Sequence, residues 1–104
     1  MDPQDSPALY AVRYEYTPGT ATARDTLRPD HIRFLEDLHG RGQLAASGRL
    51  EDDASPGALL VISMGSPHEV ARLLDGDPFW SAGLIETRDI RRWNVAFGLE
   101  GIIK

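Results

Sequence analysis

The sequence predicts an α+β domain of ferredoxin-like type, βαββαβ in order, with a four-stranded antiparallel sheet, two helices on one face and a dimeric α/β-barrel arrangement. Three observations lead there. Strand-like alternation stands near both ends of the chain, in LYAVRYEY at 9–16 and at the end of LIETRDIRRWNVAF at 84–97. Two helical stretches, RPDHIRFLEDLH and PHEVARLL, each fall between strand-like segments. The third is ALLVISM at 58–64, which is apolar on both of its sides. Such a strand belongs to a sheet whose second face is also covered, and the economical cover is another copy of the chain, sheet against sheet about a twofold axis.

Taken in order, residues 1–7 are polar and carry two prolines, which suggests a loose leader before a single domain spanning 8–104. In β1, Tyr10, Val12, Tyr14 and Tyr16 point to one side and Leu9, Ala11, Arg13 and Glu15 to the other. A breaker-rich loop, TPGTATARD, leads into α1, which is expected from about Thr26 or Arg28 to His39. Asp25 or Thr26 would cap it, Pro29 would sit in its first turn, and Gly40 and Gly42 would end it. QLAASGRL supplies β2, EDDASPG a solvated turn and ALLVISM β3. Ser66, Pro67 and Glu69 form a capping-box pattern opening α2, which runs through Leu74. After GDPFWSAG, the alternation of Trp93, Val95 and Phe97 marks β4. The tail residues Leu99, Ile102 and Ile103 are expected to help cover apolar surface.

Composition excludes several classes of function. Sixteen acidic against eleven basic residues give a net charge of −5. The basic residues, ten of them arginine, are scattered among acids, so nucleic acid is not an expected partner. Without cysteine there is neither a disulfide nor thiolate chemistry. The first residues lack a signal-peptide pattern and no apolar run is long enough to cross a bilayer, which makes a cytoplasmic protein without membrane contact the expectation. Three histidines far apart in sequence and no calcium-loop spacing give no metal site. With no phosphate-binding glycine loop or dinucleotide fingerprint either, no cofactor is expected.

Within α1, His31, Leu35 and Leu38 stand at i, i+4 and i+7, so a titratable ring shares the inward stripe with two leucines. It is either a satisfied core histidine or a buried base. The strand order 4-1-3-2 brings the start of α1 and the end of α2 to one edge of the sheet, and so brings His31 towards Asp77, 46 residues later. An aspartate that takes the proton of one imidazole nitrogen fixes the tautomer and leaves the other nitrogen basic. Arg28, a turn from His31, is a candidate for binding an anionic or enolate oxygen, and Arg13 is another, although its side of β1 is not fixed by sequence. Phe79 and Trp80 either wall a pocket for a planar substrate or plug the core beside Pro78. Gly48 would let a ligand or another backbone approach closely, or would only relieve crowding at a strand end. His39, near the end of α1, complements the helix dipole, and His68 belongs to an exposed first turn.

RPDHIRFLEDLHGRGQLAASG, followed by DGDPFWSAGLIETRDIRRW, resembles the YCII (YciI-like) family. The shared pattern is Arg-Pro-x-His opening the first helix, a glycine ending it, a small-residue and glycine motif at the end of the second strand, and Asp-Pro-aromatic before the last strand. The resemblance covers roughly residues 9–97. It implies a dimeric ferredoxin-like barrel with a histidine/aspartate active site, roles that carry over onto His31 and Asp77. The family includes a dehydrochlorinase of hydroxylated aromatics and is similar in fold to muconolactone isomerase. One position departs from the pattern: Arg49 stands where the family often has proline.

These readings make the expected function a cofactor-free lyase or isomerase acting on a small, cyclic, oxygenated molecule. His31 would move the proton, Asp77 would orient it, and Arg28 or Arg13 would stabilise oxyanion charge. A dimeric module that binds a small ligand without turnover, or works beside another protein, is the alternative from another class. A cofactor-independent oxygenase of similar shape is a third.

Overall fold

The computed structural model describes residues 8–51 and 56–98. The leader, the turn acids Asp52 and Asp53, and Leu99, Ile102 and Ile103 lie outside the described residues. Seven elements follow one another: β1 (Ala8–Tyr16), α1 (Ala21–Gly40), β2 (Leu44–Leu50), β3 (Gly57–Met64), α2 (Pro67–Leu74), a short α3 (Pro78–Ser81) and β4 (Ile85–Arg92). The strands form one sheet in the order β2-β3-β1-β4, antiparallel throughout, as the βαββαβ reading requires.

The register sorts side chains between two faces. Tyr10 pairs with Ile62, Val12 with Leu60 and Tyr14 with Ala58, so the aromatic side of β1 and the even-numbered positions of β3 look the same way. That side carries the helices, and the core lies between Tyr10, Val12, Tyr14, Leu60 and Ile62 below and Leu38, Val70, Leu74 and Phe79 above. The opposite face presents Leu9, Ala11 and Arg13 from β1, Leu59 and Val61 from β3, and Ala46, Gly48 and Leu50 from β2. No helix covers it among the described residues.

Ser66 caps α2, its hydroxyl accepting the Glu69 N–H at 3.2 Å, with Pro67 in the first turn, as the sequence pattern predicts. At the end of α1, Gly42 adopts φ +76°, and the Gln43 N–H turns back to the Leu38 carbonyl at 2.9 Å. Gly57 is required by packing: a Cβ there would stand 2.1 Å from the Tyr14 carbonyl oxygen.

Three expectations need correction. Helix α1 begins at Ala21, about a turn and a half earlier than expected, with the Arg24 N–H bonding the Thr20 carbonyl at 2.8 Å. Pro29 therefore stands inside the helix rather than in its first turn, where it can give no N–H to the Asp25 carbonyl. Consequently His31 lies near the middle of α1. Second, the linker after α2 contains the separate turn of α3. Third, β4 ends at Arg92, before the alternating Trp93, Val95 and Phe97. The Trp93 N–H still bonds the Leu9 carbonyl at 2.8 Å, but beyond it β1 offers only Ala8 among the described residues, and Phe97 is 93% exposed.

Candidate active site

Asp77 is the hub of the site. Fully buried, it follows the last turn of α2 and caps α3: its Oδ1 accepts the Phe79 N–H at 3.0 Å, and Pro78 occupies the first helical position. The same Oδ1 stands 2.8 Å from His31 Nδ1, and Oδ2 accepts the Tyr14 hydroxyl at 3.1 Å. Three elements thus deliver their donors to one carboxylate: α1 the imidazole, β1 the phenol and α3 a backbone amide. An ionised carboxylate can only accept, so a neutral imidazole bonded to it here has its proton on Nδ1 and its lone pair on Nε2. Among the described residues nothing hydrogen-bonds Nε2.

The ring is also held in its plane. Phe79 stacks on His31 with centroids 3.9 Å apart and planes 3° from parallel, and Tyr16 meets the Phe79 ring edge-on with centroids 5.8 Å apart. Burial, then the Asp77 carboxylate, push the Tyr14 hydroxyl far above its ordinary range, so it remains a proton donor to Asp77. The Tyr16 phenol is raised as well, chiefly by burial.

His31 opens onto a cleft of about 520 Å³ between α1 and the β2–β3 side of the sheet. Its wall on α1 is formed by Arg24, Asp25, Arg28, His31 and Leu35, and its sheet side includes Tyr16, Gly48 and Arg49. The earlier start of α1 matters here, because it sets Arg24, Arg28 and His31 at i, i+4 and i+7 on one helix face. Arg28 is bonded to Asp25 at 2.9 Å, and its guanidinium lies 6.0 Å over the Phe79 ring. Arg24 covers the Tyr16 ring at 4.2 Å.

The residues singled out in the sequence separate accordingly. His31 and Asp77 meet, and His31, Arg28 and Gly48 line the cleft. Phe79 lies fully buried behind the imidazole and does not reach the cleft. Trp80 instead carries the Arg88 guanidinium, 3.8 Å from its ring centroid, while Arg88 also bonds Asp75 at 3.0 Å. Arg13 faces the opposite side of the sheet, where it pairs with Glu15. Gly48 has open space where a Cβ would stand. His39 and His68 are exposed, His39 in the last turn of α1 and His68 in the first turn of α2, and neither lines the cleft with His31. Sequence reasoning missed Tyr14, Tyr16 and Arg24, and it met Arg49 only as a departure from the family pattern. A tyrosine at an inward strand position needs a partner for its hydroxyl, and that was the available signal for Tyr14.

Residues 8–94 match the YCII-related domain. Among solved structures the chain is similar to the 5-chloro-2-hydroxyhydroquinone dehydrochlorinase of Burkholderia phenoliruptrix, solved in complex with 2,5-dihydroxybenzoquinone. The two are 26% identical with a TM-score of 0.72, over 83% of this chain and 93% of that one. Likeness in fold extends to a Bacteroides thetaiotaomicron protein described as an antibiotic biosynthesis monooxygenase (7% identity, TM-score 0.55, 90% of this chain and 93% of that one). It extends also to a NIPSNAP family protein of Agrobacterium tumefaciens (19% identity, TM-score 0.52, 90% of each chain). No curated protein matches the sequence.

Proposed function

The chain belongs to the YCII-related family, and from that premise we propose that it is an enzyme of lyase or isomerase type, moving a proton on a small cyclic oxygenated substrate with His31 as base and Asp77 as its positioning partner. One observation carries this reading: the 2.8 Å contact that commits Nδ1 to a buried carboxylate leaves Nε2 as the ring's free nitrogen, on a residue that lines a cleft. The dehydrochlorinase to which the chain is similar acts, by its name, on a hydroxylated ring, which favours a substrate of that class here.

The chemistry is redox-neutral and so calls for no electron acceptor. Nε2 takes a proton from a ring carbon or hydroxyl, and the electron pair left behind forms a new double bond. In elimination a leaving group departs with the electrons of its own bond; in isomerisation the imidazolium returns its proton at another carbon. Asp77 stabilises the imidazolium in either case, and Arg28 is suited to the oxygen on which charge accumulates. Arg13, on the other side of the sheet, has no part in this scheme.

The substrate-bearing unit is proposed to be a homodimer, formed by the face that presents Leu9, Ala11, Ala46, Leu50, Leu59 and Val61. Ala46, Leu50 and Leu59 flank Gly48, whose missing Cβ lets another backbone come close.

The test is chloride release from 5-chloro-2-hydroxyhydroquinone and double-bond migration in a small unsaturated lactone, with the wild-type chain and His31→Gln. Turnover that falls by about 10²–10⁴ in the variant is the expected result. Wild-type binding of these compounds with no turnover of either would instead describe a ligand-binding module.

A further inference from the structure

The charge around the cleft is unlike that of the chain. The whole sequence carries −5, yet the cleft is lined by three arginines, Arg24, Arg28 and Arg49, against one carboxylate, Asp25. That carboxylate is already engaged by Arg28 at 2.9 Å. Among the described residues Arg24 has no acidic partner: its guanidinium lies on the Tyr16 ring and its Nε donates to Thr20 Oγ1 at 3.3 Å. Arg49 stands 3.7 Å from Glu51, with both side chains more than three-quarters exposed, a loose contact that a better acceptor can displace. The charges of Arg24, Arg28 and Arg49 each oppose the burial that raises the phenol of Tyr16, which lines the same cleft.

The three do not have equivalent places. Arg28 hangs over Phe79, the ring that backs His31, and so belongs to the reacting end. Arg24 lies seven residues, about 10 Å along the helix axis, from His31. Arg49 faces it from β2, opposite Ala58 in the register and on the helix side of the sheet. We propose that this far end of the cleft binds a carboxylate carried by the substrate, held between Arg24 and Arg49, and that Arg49 sets the preference for an anionic over a neutral ring. A guanidinium fork from each wall matches the two oxygens of a planar carboxylate, and a cleft of this sign concentrates such anions in a chain that otherwise repels them.

The inference rests on the cleft being the substrate site, as proposed above, and a two-probe titration separates the two claims. Hydroquinone and 2,5-dihydroxybenzoate differ by the carboxylate alone; each is titrated into the full chain at low salt, following the Gly48 amide and the His31 ring nitrogens by NMR. The expected result is a carboxylate advantage of about tenfold, what one charge-assisted contact of this kind supplies, shrinking as salt is added. In Arg49→Gln that advantage should fall to about twofold or less, and Arg24→Gln should weaken it as well. Equal binding of the two probes, or an advantage intact in both variants, overturns the carboxylate site and leaves the cleft standing. If neither probe moves Gly48 or His31, the cleft is not the site and both claims fall.

Discussion

The imidazole of His31 and the phenyl ring of Phe79 lie parallel within 3°, their centroids 3.9 Å apart, while the Phe79 N–H and His31 Nδ1 share a single Asp77 oxygen. The ring that could act as a base is therefore fixed in tilt by one residue's side chain and in rotation by the carboxylate that the same residue's amide helps to hold.

Replacing Asp77 separates aim from stability. Asp77→Asn keeps the volume but loses the committed acceptor, so ¹⁵N spectra of His31 should change from the Nδ1-protonated tautomer to a mixture. Turnover, in the assay described above, should drop by about two powers of ten or more. Asp77→Ala leaves the Tyr14 hydroxyl, the Phe79 amide and the imidazole without their buried acceptor. Denaturant unfolding should show a loss of about 3–5 kcal/mol.

Tyr14 ties the site to alkaline stability. Its pKa in the folded chain is raised by burial and by Asp77, so above the ordinary value of 10.0 the unfolded chain releases a proton that the folded one retains. Stability from this group is complete below that pH and declines above it, by about 1.4 kcal/mol for each further pH unit. Tyr14→Phe should flatten the decline between pH 10 and 11 in chemical denaturation. An unchanged slope would mean that the hydroxyl titrates alike in both states.

Phe79 can be trimmed in steps. Phe79→Ala opens a cavity beneath His31 and should cost about 3–5 kcal/mol. Phe79→Leu restores most of the volume without a flat ring, at a cost nearer 1 kcal/mol. If stacking aims the imidazole, the leucine variant should still lose turnover out of proportion to its modest instability; equal losses in both would assign Phe79 to packing alone.

The open sheet face is tested by charge. Leu59 is 38% exposed there, beside Gly48 on the neighbouring strand. Leu59→Glu should leave the fold intact by circular dichroism and yield a monomer in sedimentation if a second copy covers this face. Identical sedimentation of parent and variant would refute that assembly.

The parts legible in the sequence were those with a local cause. Strand order followed from the βαββαβ succession and the cap from Ser66, Pro67 and Glu69, whereas His31 and Asp77 meet although the topological argument set His31 in the first turns of α1 and the helix starts earlier. What escaped was set by competition between local signals and packing. Pro29 argued for a late start to α1, yet Leu27 extends the inward stripe of His31, Leu35 and Leu38 by a turn, and packing of that stripe outweighs one missing N–H. Hence Arg24 read as loop and not as wall. Trp93, Val95 and Phe97 alternate as a strand would, but β4 ends at Arg92, and among the described residues β1 offers only Ala8 beyond the Trp93–Leu9 bond. The face chosen by Arg13 depends on which side of β1 meets the helices, a question that alternation poses and tertiary structure answers.

Asp77 Oδ1 starts a helical turn and orients an imidazole with one lone-pair-bearing atom. Substitutions there cannot be filtered separately for architecture and for reactivity, because a residue that fails as a cap also misdirects the ring. Drift at this codon is thus constrained twice over, and laboratory evolution towards new substrates would have to work through the arginine-bearing walls, whose side chains the core does not need.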